Sequence, residues 1–170
     1  MVIAVIIAVI VFGSLWYFGR KDYKSNDVKI IDYTPVESVL TIFEQELFRL
    51  VNEYRVSENL NVLKTDELAR SLAYDHCRYM IEQECISHDN YAIRTSALFM
   101  NGAQSVGENV GYGYSTASGF CTGYITSTHG HREILEGKSY THIGVRCVKN
   151  PKGRYYNVLL LVNYGIKENN

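Results

Sequence analysis

The stretch that decides the fold is residues 141–163, THIGVRCVKNPKGRYYNVLLLVN. Its two ends, Thr141 to Val148 and Tyr155 to Asn163, are rich in residues that favour β-strands. The segment between them, Asn150-Pro151-Lys152-Gly153, has the composition of a turn. Together these parts predict an antiparallel hairpin. Because Val158 to Val162 is apolar without alternation, we expect the second strand to be central in a sheet and covered on both faces.

A long helix is predicted well before this hairpin, over residues 35–57. Thr34 suits the cap position, Pro35 the first helical position, and Glu37 completes a capping box with Thr34. A continuous apolar stripe supports the helix and consists of Val36, Val39, Leu40, Phe43, Leu47, Leu50, Val51 and Tyr54.

Shorter elements are predicted in the middle of the chain. A second helix is expected from Thr65 or Asp66 to about Gln83. The residues from Gly102 to Gly119 are rich in Gly and Ser, which predicts a loop with little regular structure. Further helices are expected over residues 92–100 and 116–127, and a short helix or a turn over residues 131–136. Helices that come first and strands that come later indicate an α+β domain.

The N-terminus is an apolar run without charge, from Val2 to Phe18. A helix over this run is about 26 Å long, the lower limit for crossing a bilayer. No charge precedes the run, and aromatic residues fill the zone where a signal peptide would be cleaved. An uncleaved anchor is therefore favoured over a cleaved signal peptide or a buried helix. We predict a transmembrane anchor over residues 1–19, a tether over 20–34 and one domain over 35–170.

Two signals conflict about the side of the membrane that the domain faces. The basic residues Arg20, Lys21 and Lys24 follow the apolar run, which favours a cytoplasmic domain. An even set of cysteines favours an oxidising compartment with two disulfides: Cys77, Cys85, Cys121 and Cys147. Pairing of Cys77 with Cys85 and of Cys121 with Cys147 is one of three connectivities, and four unpaired core thiols are the alternative. The residues alone leave both sides open.

Composition excludes some classes of protein. The chain has 17 basic and 18 acidic residues, a net charge of -1, and no basic stripe of the kind that binds nucleic acid. A hydrophobic content of 46 % with 14 tyrosines is enough to fill a core, so the chain is not disordered.

Six segments, taken in order over about residues 50–165, resemble the bacterial-type CAP domain, the domain of cysteine-rich secretory proteins, antigen 5 and pathogenesis-related proteins. They are Leu50 to Arg55, Leu63 to Met80, Ser87-His88-Asp89 with Arg94, Gly107-Glu108-Asn109-Val110, Gly130 to Leu135, and Tyr140 to Val145. The resemblance implies a three-layer α-β-α sandwich with a central antiparallel sheet. It also favours a domain in the extracellular or periplasmic space.

Many members of this family carry two histidines and two glutamates in one cleft. His88, Glu108 and His131 match three of these positions. The second glutamate belongs to the helix before Gly130, and residues 115–128 contain no acid at all. Glu133 follows His131 closely but is not at the family position. The resemblance therefore implies an incomplete tetrad.

The chemistry of these three residues suits more than one role. Two imidazoles and a carboxylate are an adequate set of ligands for Zn²⁺ with one open position. The same trio suits acid–base work, since histidine titrates near neutral pH. No motif places a nucleophile beside them. We expect a binding module whose cleft holds a divalent metal, a lipid or a protein partner. A metal- or His/Glu-dependent hydrolase of peptidase or esterase type, and a structural domain with a vestigial cleft, are the alternatives.

Three other groups of residues are expected to serve the fold. His76 lies on the apolar stripe of the second helix and is predicted to be a core histidine. Asn52 and Arg55 are predicted to be fold-forming, with Arg55 bound to an acid or a carbonyl. Surface packing is favoured over a ligand groove for three tyrosines, namely Tyr112, Tyr114 and Tyr124.

Overall fold

The structure is a computed structural model and describes residues 40–165. In chain order its elements are α1 (Ile42–Ser57), β1 (Lys64–Thr65), α2 (Glu67–Glu82), α3 (Tyr91–Met100), β2 (Ser105–Tyr112), α4 (Ala117–Ile125), α5 (His131–Leu135), β3 (His142–Lys149) and β4 (Tyr155–Asn163). The strands form one sheet in the order β1-β3-β4-β2. Helices and strands therefore mix within one α/β fold. β1 pairs in parallel with β3, so the expected antiparallel sheet has one short parallel edge.

The predicted hairpin is confirmed. β3 and β4 pair antiparallel from His142 opposite Val162 to Lys149 opposite Tyr155. The turn closes with a hydrogen bond from the Asn150 N–H to the Arg154 carbonyl, 2.9 Å long. β4 lies between β3 and β2, and its residues 156–162 are all buried. The apolar run without alternation is therefore the central strand, as expected.

The two faces of the sheet carry separate apolar clusters. Leu159 and Leu161 pack with residues of α1, α4 and α5 on one face. Val158, Leu160 and Val162 pack with residues of α2 and α3 on the other face. Because side chains alternate along a strand, β4 supplies both clusters at once. The helices thus form a layer on each side of the sheet.

The first helix begins later than predicted. Leu40 and Thr41 are not helical, and α1 starts at Ile42 with Thr41 as its cap. Thr41 and Glu44 form the capping box, because the Glu44 N–H donates to Thr41 Oγ1 and the Thr41 N–H donates to Glu44 Oε2. A helix running continuously from residue 35 is therefore wrong at these two positions. Thr34, the predicted cap, lies outside the described residues.

The predicted loop between Gly102 and Gly119 is also wrong, because it contains β2. Glycine is needed in this strand where aromatic side chains pack against its backbone. A Cβ on Gly107 would lie 2.5 Å from the Tyr140 hydroxyl, and a Cβ on Gly111 would lie 2.5 Å from the Tyr124 hydroxyl. These glycines therefore mark close contacts within a strand and not a turn.

The predicted disulfides are not formed, and all four cysteines carry free thiols. Cys77 is buried against the sheet with its Sγ 3.6 Å from the Tyr156 carbonyl oxygen, whereas Cys85 is exposed. Cys147 Sγ accepts a hydrogen bond from Asn157 Nδ2 at 3.1 Å. Burial raises the pKa of the Cys77 and Cys147 thiols, and that of Cys121 to about 11. The three buried thiols are therefore held as protonated, unreactive side chains.

The predicted anchor, Val2 to Phe18, and the tether lie outside the described residues. Within residues 40–165, none of the helices has the length and apolar character that a membrane span requires.

Candidate functional site

The centre of the site is a buried carboxylate. Glu108 lies in the middle of β2, and its side chain is 1 % exposed. Arg94 of α3 binds it with two hydrogen bonds, from Nε to Oε2 at 2.7 Å and from Nη2 to Oε1 at 2.8 Å. A buried carboxylate needs such a partner, because its charge is unfavourable in an apolar interior. The guanidinium and the carboxylate together carry no net charge, and their two hydrogen bonds hold both side chains in fixed positions beneath the site.

His88 contacts this buried ion pair through Glu108. It lies in the connection between α2 and α3, and its Nδ1 is 2.8 Å from Glu108 Oε1. Nδ1–H donates to the carboxylate in this arrangement, which leaves Nε2 as a hydrogen-bond acceptor in the neutral ring. The His88 side chain is 54 % exposed. The site therefore exposes an imidazole to solvent, and the buried ion pair of Arg94 and Glu108 fixes the orientation of that ring.

The segment around His88 is held by further hydrogen bonds. His76 Nε2 donates to the Ser87 carbonyl at 2.7 Å, and Arg94 Nη1 donates to the Asp89 carbonyl at 2.7 Å. The Tyr79 hydroxyl donates to Asp89 Oδ2 at 3.0 Å. His76 is 2 % exposed, and burial lowers its pKa, so the prediction of a core histidine is confirmed.

A cleft of about 350 Å³ opens beside His88. Most of its lining is apolar or aromatic, and the lining residues are His88, Tyr91, Val106, Gly107, Glu108, Ile134 and Tyr140. The Tyr91 hydroxyl donates to the Val106 carbonyl at 2.7 Å. Burial raises the pKa of Tyr91 and of Tyr140, so both phenols stay neutral. The cleft can therefore take an apolar group beside a hydrogen-bonding one.

His131 lies near this cleft but has partners of its own. Its Nδ1 is 2.9 Å from Ser127 Oγ, and its carbonyl accepts from Asn109 Nδ2 at 3.0 Å. Its pKa is lowered first by burial and then by the positive charge that His88 can carry. His131 is not among the residues that line the cleft. The structure thus joins His88 to Glu108 directly and leaves His131 at a neighbouring position.

The zinc interpretation needs Glu108 as a ligand, and both oxygens of Glu108 already bind Arg94. Within residues 40–165, no three His, Cys, Asp or Glu side chains are grouped as they would be around a metal ion. A divalent cation on this carboxylate would lie close to a guanidinium of the same charge sign, which is unfavourable. Zinc binding stays a prediction, and the arrangement favours a ligand other than a metal.

Some residues of the cleft were not expected from the sequence. Tyr91, Ile134 and Tyr140 come from three different parts of the chain, and no spacing rule connects them. Arg55 supports two of them indirectly: it is fully buried, and its Nη1 donates to the carbonyls of Leu135 and Gly137. The prediction that Arg55 binds a carbonyl is therefore confirmed.

Comparison with known proteins identifies a family. Residues 48–164 match the model of the CAP family, described as the cysteine-rich secretory protein family. The uncharacterized membrane protein YlbC of Bacillus subtilis is 30 % identical over 113 residues, which cover 64 % of this chain and 32 % of that protein. The chain thus spans about a third of the length of this curated relative.

Solved structures have the same fold. An extracellular protein with an SCP domain from Bacillus anthracis strain Ames superposes with a TM-score of 0.61 and 25 % identity, over 71 % of this chain and 40 % of that chain. An outer surface protein of Borrelia burgdorferi superposes with a TM-score of 0.65 and 19 % identity, over 74 % of this chain and 96 % of that chain. The second likeness concerns the fold alone.

Proposed function

The chain belongs to the CAP family, the cysteine-rich secretory protein family, and on that premise we propose that it is a membrane-anchored binding domain outside the cytoplasm. Its ligand enters the cleft beside His88. The relative from Bacillus subtilis is named as a membrane protein, and the neighbour from Bacillus anthracis is named as extracellular. The apolar run from Val2 to Phe18 supplies the anchor.

One observation carries the proposal of binding: the exposed imidazole of His88 is hydrogen-bonded to Glu108, whose buried charge is compensated by Arg94. Holding Glu108 and Arg94 in the interior is costly unless both stay paired, and the exposed member of this network is His88. The pair fixes the orientation of the imidazole, which is what a binding site requires. Ile134 and Tyr140 supply apolar contact within the same cleft.

Binding is favoured over hydrolysis through a covalent intermediate because no serine, threonine or cysteine lines the described cleft. Its hydroxyls belong to Tyr91 and Tyr140, whose raised pKa values keep them protonated. Ser87 precedes His88 but does not line the cleft, and its Oγ accepts a hydrogen bond from the Asp89 N–H at 3.3 Å. A hydrolase that forms a covalent intermediate needs such a side chain within hydrogen-bond reach of its base.

A screen for ligands tests this function. The probes are small molecules that combine one aromatic or aliphatic group with one carboxylate or amide, each added to the full chain in mild detergent. Binding is measured by ligand-observed NMR. We expect compounds that bind the wild type and lose at least about tenfold in affinity with His88→Ala. His129→Ala, which removes another exposed imidazole, is the matched control and should bind normally. A screen without any His88-dependent compound would refute the proposal.

A further inference from the structure

We infer that the cleft selects an uncharged ligand that donates a hydrogen bond to Nε2 of His88 and accepts one from the hydroxyl of Tyr140, which makes Tyr140 a specificity-determining residue. This inference rests on the proposed function and narrows it to one chemical class, a mainly apolar molecule with an alcohol or carboxamide group. The polar atoms of the cleft that have no protein partner define this class.

Several polar groups of the cleft already serve the protein itself. Both oxygens of Glu108 bind Arg94, and Oε1 also lies 2.8 Å from Nδ1 of His88. The hydroxyl of Tyr91 donates its proton to the Val106 carbonyl at 2.7 Å. The buried carboxylate and the proton of Tyr91 are therefore committed to partners within the domain.

The hydroxyl of Tyr140 differs from these groups. Its oxygen lies against the backbone of Gly107, a residue that lines the same cleft. Within residues 40–165 this hydroxyl has no hydrogen-bond partner, and it is not one of the buried polar atoms that lack one, so it is open to solvent. Burial of the ring raises the pKa of Tyr140, so the phenol keeps its proton. Tyr140 therefore offers a hydrogen-bond donor to a ligand.

The outer nitrogen of His88 offers the opposite group. Because Nδ1–H donates to the Glu108 carboxylate, the neutral ring presents Nε2 as a lone pair. The side chain is 54 % exposed, so a ligand in the cleft can reach it. His88 therefore requires a ligand atom that carries a hydrogen.

The two groups together exclude charged ligands of either sign. A carboxylate accepts from Tyr140 but has no hydrogen for Nε2 of His88, and an ammonium donates to Nε2 but has no lone pair for Tyr140. Alcohols and carboxamides both donate and accept. A polar group that loses water on binding and gains no partner costs free energy, so a ligand that satisfies only one of the two groups binds more weakly.

The remainder of the cleft determines the size and character of the ligand's body. Val106, Ile134 and the rings of Tyr91 and Tyr140 supply apolar contact. The cleft of about 350 Å³ has room for about a dozen atoms, if each takes the share of a water molecule in the liquid, about 30 Å³. One aromatic ring with a short polar arm has this size.

Two pairs of compounds with matched shapes test the ligand class. They are phenylacetamide with phenylacetate, and phenethyl alcohol with phenethylammonium. Affinity for the full chain in mild detergent is measured by ligand-observed NMR at pH 8, where histidine is ordinarily neutral. We expect each neutral compound to bind at least about tenfold more tightly than its charged partner. Equal or tighter binding of a charged partner, or no binding of either neutral compound, would overturn the inference.

Tyr140→Phe tests the same inference from the side of the protein. We expect it to weaken phenylacetamide and phenethyl alcohol about fivefold to tenfold, and to leave phenethylammonium unchanged because that compound has no lone pair for the hydroxyl. Tyr114→Phe removes a hydroxyl from an exposed tyrosine outside the cleft and should change neither affinity.

Stability separates a binding role of the Tyr140 hydroxyl from a structural one. Because this hydroxyl has no partner within residues 40–165, Tyr140→Phe should leave the free energy of unfolding unchanged. A clear loss of stability would show that the hydroxyl serves the fold and would overturn the inference. Compounds that depend on His88 but bind Tyr140→Phe normally would also overturn it, and would leave the proposed function intact.

Discussion

Nδ1 of His88 lies 2.8 Å from Oε1 of Glu108, although the two residues are 20 positions apart in the chain. Arg94 binds the same carboxylate through two nitrogens. An exposed ring is thus hydrogen-bonded to a buried ion pair. We expect the three side chains to contribute differently to the free energy of unfolding and to ligand affinity, and substitutions measure these contributions separately.

Glu108→Ala should destabilise the fold strongly, because it leaves the buried guanidinium of Arg94 without its carboxylate partner. Breaking a buried ion pair in this way costs about 3–5 kcal/mol. Urea unfolding of the full chain, followed by circular dichroism, measures the change. Glu53→Ala is the control, since Glu53 pairs with Arg49 on an exposed surface and should matter little. Equal, small effects of both changes would contradict a supporting role of the buried pair.

Stability should fall as the pH is lowered from about 7.5 to 5.5, in part because of His76. Burial lowers the pKa of His76 below its ordinary value of 6.5, so the unfolded chain binds more protons there than the folded chain in this range. The stability that neutral His76 contributes is present above pH 6.5 and is lost as the pH falls through the folded-state pKa.

His76→Gln should therefore weaken this pH dependence, measured as the free energy of unfolding at several pH values. His129→Gln, at an exposed position, should leave the slope unchanged. A wild-type slope in the His76 variant would show that other groups cause it.

Gly107→Ala should destabilise the domain and narrow the cleft, because its Cβ would lie 2.5 Å from the Tyr140 hydroxyl and 3.0 Å from Ile134 Cγ2. Overpacking of this kind costs about 1–3 kcal/mol. Tyr140→Phe removes the nearest atom, so Gly107→Ala should cost less in that background. A double-mutant cycle of thermal or urea unfolding measures the difference, and strict additivity would argue against the contact.

Zinc titration tests the metal interpretation directly. Calorimetry on the full chain, with His88→Ala and His131→Ala beside it, measures affinity and its dependence on both rings. Because Arg94 holds both oxygens of Glu108, we expect no zinc binding at micromolar or tighter affinity. Micromolar binding that both substitutions abolish would contradict this expectation and support a metal site.

Thiol counting tests the state of the cysteines. In the native, unreduced chain we expect one thiol to react quickly with a disulfide reagent, that of exposed Cys85. The other three should react only after unfolding, since they are buried and burial raises their pKa values. An unfolded, unreduced chain with no reactive thiol would instead show that two disulfides form.

Several local elements could be predicted because their signals lie within a few residues. The hairpin of β3 and β4 follows from two β-prone runs around Asn150-Pro151-Lys152-Gly153, and α2 begins directly after Asp66, which caps it. β2 could not be predicted from local pattern, since its glycines indicate a turn. Glycine is required at positions 107 and 111 because Tyr140 and Tyr124, both distant in the chain, pack against the backbone there.

The candidate site divides in the same way. The motifs around His88, Glu108 and His131 predicted that these three residues lie in the same region of the domain. The structure then joined two of these residues and gave His131 a different partner, Ser127. Motifs record which residues are present in a segment, whereas hydrogen-bond partners depend on how segments pack against each other.

The sequence by itself determined the family, the central strand and the three side chains around which a site was expected. Periodicity and short motifs carry this information because helices, strands and turns depend on neighbours in the chain. The tertiary structure alone decided that Arg94 compensates Glu108, that four thiols stay free, and that β2 pairs with β4 at an edge of the described sheet. Burial, ion pairing and strand register arise from segments far apart in the chain, so only the folded domain brings them together.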